Sequence, residues 1–201
     1  MSAVAEEIPF SERGPAPTRI VVSFGFWLFL LSDIVIFSAL FAAYAVLSSR
    51  TAGGPTGVQI FELQHVFIET LCLLVSSFTC GLCVLGLERR SISMIYVWGA
   101  VTFVLGATFI GLELSEFTDL AARGITPARS AFLSAFFTLV GTHGIHVTAG
   151  LCWLGVMMAQ VATLGLQPKV AGRLVCFSLF WHALDLVWIG VFTIVYLGAR
   201  T

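Results

Sequence analysis

Residues 136–150 read Phe-Phe-Thr-Leu-Val-Gly-Thr-His-Gly-Ile-His-Val-Thr-Ala-Gly. They lie in the middle of the longest apolar stretch of the chain, residues 131–162. His143 and His146 are spaced i, i+3, which places both on one face of a helix. Gly141 and Gly144 leave that surface narrow, so a second helix can approach closely. A polar stripe on a close-packing surface faces protein, not lipid. A later apolar stretch carries a matching stripe, Trp181 and His182 with Asp185 at i, i+3 from the histidine. The fold therefore turns on whether these stretches cross a membrane.

The composition says that they do. The 201 residues are 58% hydrophobic and 10% charged, against about 25% charged in a soluble domain. Mean hydropathy is +0.99. Such a chain cannot cover a water-facing surface, so it is an integral membrane protein. A net charge of -1 gives no electrostatic footprint for nucleic acid. The five cysteines (72, 80, 83, 152 and 176) all fall in apolar stretches, which points to buried thiols. Cys80-Gly-Leu-Cys83 has redox-motif spacing but lacks a strand–helix context or a second ligand pair, so it reads as small apolar packing.

In chain order, residues 1–19 are a polar, proline-rich tail with three glutamates, unlike the basic start of a cleaved signal peptide. Residues 20–201 form one membrane domain. Five stretches are long enough for a hydrocarbon core that needs about 20 residues: 24–47, 66–87, 93–114, 131–162 and 174–197. The fold class is thus all-α, a bundle of five transmembrane helices. Residues 116–129 read as a charged loop and 88–91 as a tight polar hairpin. With the N-terminus inside, inner segments hold six basic residues (Arg13, Arg19, Arg89, Arg90, Lys169, Arg173). Outer ones then hold four (Arg50, Arg123, Arg129, Arg200), which favours N-in, C-out.

Buried ionisable residues are the candidates for chemistry. A carboxylate in mid-helix costs about 2.5–3.5 kcal/mol on insertion scales, so Asp33 requires a partner, a water or a proton. Two readings stand for it: proton handling, or a hydrogen-bonded group that joins helices. Glu69 and Glu113 fall nearer the ends of their stretches, and Glu116 just beyond one. These four acids are the proton-handling candidates. Metal ligation needs imidazoles converging from several helices. Two haems and a copper would need more than the four histidines of the chain, and there is no Cys/Met/His cluster for an electron-accepting copper. No metal and no catalytic residue are assigned to the chain. His143, His146, Trp181, His182 and Asp185 are read as a polar network between the fourth and fifth helices, each bond contributing about 0.6–2 kcal/mol.

These motifs carry a family resemblance. The His-Gly-Ile-His-Val core of residues 136–150 resembles the signature of subunit 3 of haem–copper respiratory oxidases. So does Phe-Trp-His-Ala-Leu-Asp-Leu-Val-Trp-Ile at 180–189. Residues 27–37 resemble the family's helix with a buried carboxylate; Asp33 stands where cytochrome c oxidase members carry Glu. Leu114-Ser-Glu-Phe117 is similar to the family's Ser-Glu-aromatic. Five helices instead of seven are similar to the cytochrome o type ubiquinol oxidase branch, as are Thr51-Ala-Gly-Gly-Pro-Thr-Gly57, Phe61-Glu-Leu63 and Val66-Phe-Ile-Glu-Thr70.

The resemblance implies a multi-pass subunit of a bacterial inner-membrane complex that oxidises ubiquinol, reduces oxygen to water and pumps protons. It implies haems and copper on the large catalytic subunit 1, with subunit 2 and a small subunit 4 as further partners. It implies an accessory role here, stabilising subunit 1 and holding phospholipid. The alternatives are a five-helix cytochrome c oxidase subunit 3 and an independent proton or solute transporter. Against the transporter, no inverted repeat and no Gly/Pro-broken span is visible.

Overall fold

Several helix ends follow from local chemistry. The computed structural model describes residues 18–200, so nearly all of the polar tail lies outside the described residues. Helix α1 spans Thr18–Leu47 and α2 is a single turn, Gly57–Ile60. Then come α3, Leu63–Glu88; α4, Ile92–Ala122; α5, Ala131–Leu164; and α6, Pro168–Val191. A π-helical turn, Phe192–Leu197, continues α6. No strand occurs among the described residues. Five of these helical segments are long and apolar enough to cross a membrane, as the hydropathy pattern predicts.

Ser91 and Ser130 cap α4 and α5 by accepting hydrogen bonds from Met94 N and Leu133 N. Pro168 opens α6, where its missing N–H costs nothing. Gly165, at φ 66, closes α5 in a conformation that disfavours any side chain.

Helix α1 starts six residues before residue 24, and two further boundaries differ from the sequence reading for physical reasons. Helix α4 does not stop at Leu114 but runs about two turns further, so Glu116 and Asp119 are helical. The polarity of this segment suggests a loop. At 31 residues, α4 is about 46 Å long against a hydrocarbon core of about 30 Å, so its end reaches the aqueous interface, where charge is compatible with helix. Helix α6 starts at Pro168, six residues before residue 174, because proline fits the first turn.

Helices α3 and α4 form an antiparallel pair joined by Arg89, Arg90 and Ser91. Helix α5 packs against α1, α4 and α6, and α6 also packs against α3. The span in α6 is 50% buried and that in α1 only 11%, so α6 is central and α1 peripheral. The centre of the bundle holds Phe109, Phe136, His143, Trp181 and Trp188, all buried. At one end the loop after α1 folds back over the helices. There Phe61 packs on Tyr196 and Phe136 at ring-centroid distances of 4.7 and 4.9 Å.

Candidate functional site

The two polar stripes turn towards different neighbours. His143 is fully buried and its Nε2 lies 3.2 Å from the Leu184 carbonyl oxygen on α6. A carbonyl only accepts, so Nε2 carries the hydrogen. The ring is held in an aromatic cage, 5.1 Å from Trp188 and edge-on to Phe109 at 5.7 Å. His143 therefore joins α5 to α6. His146 looks the other way. Its Nδ1 donates to Thr142 O at 2.8 Å, within α5, and its Nε2 lies 3.8 Å from Asp33 Oδ1 on α1.

The α6 stripe faces α3. Trp181 Nε1 donates to Ser76 Oγ at 3.1 Å, and His182 Nδ1 is 2.7 Å from Ser77 Oγ. About two turns further along, Trp188 Nε1 donates to Thr70 Oγ1 at 3.1 Å. These are three polar rungs between α6 and α3. Asp185 is buried beside Ser77 and His182, on the same side. The i, i+3 spacing puts each stripe on one face but does not reveal α3's Thr70, Ser76 and Ser77 as the partners of α6. Their signal is three small hydroxyls within eight residues of an apolar span, each suited to receive an indole N–H or an imidazole.

Close packing is also redistributed. A Cβ on Gly144 would lie 2.7 Å from Glu113 Oε1, so this glycine lets the Glu113 carboxyl lie against α5. A Cβ on Gly141 would meet only Phe117, at an ordinary 3.8 Å. Gly106 and Gly150 seat the Trp181 ring, from which a Cβ on either would fall 2.9 Å.

The acids form a separate group at the end of the bundle covered by Phe61. Glu69 on α3 is 0% exposed and Glu113 on α4 is 3% exposed. Glu116 follows one turn later and accepts from Tyr196 Oη at 3.4 Å. His65 Nε2 lies 3.4 Å from Glu69 Oε1. Asp33 stands on α1 beside His146. Among the described residues, no three His, Cys, Asp or Glu side chains are placed to hold a metal ion, and all five cysteines are free thiols.

Comparisons with known proteins agree with one another. Residues 3–199 match the family described as Cytochrome c oxidase subunit III. The chain is 57% identical to cytochrome bo(3) ubiquinol oxidase subunit 3 of Pseudomonas aeruginosa, over 87% of this chain and 83% of that protein. It is 46% identical to quinol oxidase subunit 3 of Bacillus subtilis, over 86% and 85% respectively. A cytochrome c oxidase subunit 3 from Bacillus sp. (strain PS3) is 42% identical, over 86% and 84%.

Proposed function

The chain belongs to the cytochrome c oxidase subunit III family, and from that premise we propose that it is the accessory third subunit of a proton-pumping ubiquinol oxidase of the cytochrome bo type. The observation that carries this is the 57% identity, nearly end to end, to a subunit 3 of that kind. Quinol as the donor of the complex is supported by further relatives at 46–54% identity that are named quinol or ubiquinol oxidase subunits 3.

In this reading the chain spans a bacterial inner membrane with its N-terminus inside and its C-terminus outside. Haems and copper belong to subunit 1; subunit 2 and a small subunit 4 complete the complex. This chain contributes shape and stability. Its central polar side chains support that role, because they bond helix to helix. Trp181, His182 and Asp185 face α3, His143 bonds to α6, and His146 turns to α1.

The weakly buried α1 supports a surface completed by the partner and by phospholipid. Val35 is 68% exposed and Ile34 50%, areas of apolar side chain that only lipid tails or protein can cover.

A mild-detergent pull-down on this chain tests the proposal. Co-purification of a larger haem-bearing chain with quinol oxidase activity is the expected result. A haem-free chain arriving alone would overturn it. A complex that prefers cytochrome c to quinol would move the chain to the other branch of its family.

A further inference from the structure

Glu69 is completely buried, yet neither carboxyl oxygen has a hydrogen-bond partner among the described residues. Glu113 Oε2 is in the same position. An ionised carboxylate left without partners in such a place costs several kcal/mol, and neighbouring carboxyls cannot all ionise together. A proton or a hydrogen-bonded water removes both penalties.

The route by which either would arrive is visible. His65, whose side chain is 32% exposed, stands 3.4 Å from Glu69 Oε1. It also lines a cleft of about 50 Å³ with Glu62, Glu116, Asp119 and Arg123. A water needs roughly 10–15 Å³ by that measure, so the cleft has room for a short chain of them. It opens beside the last turns of α4, which reach the aqueous interface. The π-helical turn brings Tyr196 in from the third side, with its hydroxyl on Glu116. From α5 the group against Glu113 is Gly144, which brings no titratable side chain.

The inward direction is closed. One turn deeper, Leu73, Phe109 and Trp188 are buried to 1% exposure or less. The Trp188 N–H is already given to Thr70.

We propose that Glu69, Glu113 and Glu116 form a proton-holding cluster that exchanges protons and water with one face of the membrane only, through His65 and its cleft. This goes beyond the accessory role and rests on the bundle's geometry, not on the identity of the complex. A proton moving inward leaves a hydronium in the cleft, passes the His65 imidazole and binds Glu69 Oε1; the reverse step regenerates the hydronium. Only O–H and N–H bonds change, and no electron is transferred.

Infrared difference spectroscopy decides the matter, on the full chain in the assembly with which it purifies. Wild type minus Glu69→Gln should show the C=O band of a protonated carboxyl that shifts when D2O replaces water. His65→Phe should slow that shift about tenfold or more, a barrier rise of about 1.4 kcal/mol. Absence of the band overturns the proposal, as does equal exchange in wild type and His65→Phe. Should Glu69→Gln fail to accumulate, the carboxyl-band exchange rates of wild type and His65→Phe decide alone, since His65 is outside the core.

Discussion

His146 Nε2 stands 3.8 Å from Asp33 Oδ1, joining the peripheral helix α1 to α5 through two partly exposed side chains. The separation is outside hydrogen-bond range, and Asp33 Oδ2 has no hydrogen-bond partner among the described residues. The pair is therefore a weak tie. A double-mutant cycle of Asp33→Asn and His146→Leu should give a coupling of about 0.6 kcal/mol, well below the upper range of about 1.7 for polar contacts in membranes. Thermal unfolding of the purified complex measures it. No coupling at all would leave Asp33 as packing without an electrostatic partner.

The glycines separate by what each added methyl group would meet. At Gly106 and Gly150 it would strike the Trp181 ring at 2.9 Å, and that ring is fixed by its bond to Ser76. Gly106→Ala and Gly150→Ala should each destabilise by about 1–3 kcal/mol, the usual range for overpacking. Gly144→Ala should cost less, because the Glu113 carboxyl is the end of a flexible side chain. Gly141→Ala should be neutral or stabilising by up to about 1 kcal/mol, since only the helix preference for alanine changes. The order of unfolding temperatures of the four variants checks this, and a destabilised Gly141→Ala would contradict it.

The rung between Trp188 and Thr70 gives a third expectation. Thr70→Val keeps the shape and removes the acceptor, which strands a buried indole N–H at a cost of about 1–3 kcal/mol. Trp188→Phe deletes the donor but also loses apolar area and leaves a void. In the Trp188→Phe background, Thr70→Val should therefore be nearly neutral. A cycle by denaturation of the purified complex tests it; equal costs of Thr70→Val in both backgrounds would remove the rung from the account.

Much of the architecture was legible because the membrane imposes it. About 20 apolar residues per crossing is a length rule, and five stretches satisfied it. The extension of α4 past Leu114 is not legible, because Glu116 and Asp119 have loop composition while the interface tolerates them on a helix. The single turn α2 is too short for any periodicity, and the π-helical turn at Phe192–Leu197 leaves no trace in an apolar pattern. For the site, spacing settled which residues share a face but not which helix that face meets. His143 and His146 are three apart, yet one serves α6 and the other α1. Glu69 and Glu113 were visible as isolated acids; that they meet at one end beside His65 needed the antiparallel register of α3 and α4.

His143 gives the last prediction, which separates a helix-joining histidine from a ligand. Its Nε2 bond to Leu184 O is worth about 0.5–1.5 kcal/mol net, but its buried Nδ1 has no hydrogen-bond partner among the described residues. His143→Leu loses the first and relieves the second. It should therefore cost less than about 1.5 kcal/mol in unfolding, despite a fully buried site. In the purified complex, the haem absorption spectrum of this variant should match wild type, because no group of side chains around His143 is arranged to hold a metal among the described residues. A shifted haem spectrum with normal assembly would mean that His143 reaches a redox centre, and the accessory reading of this subunit would then fail.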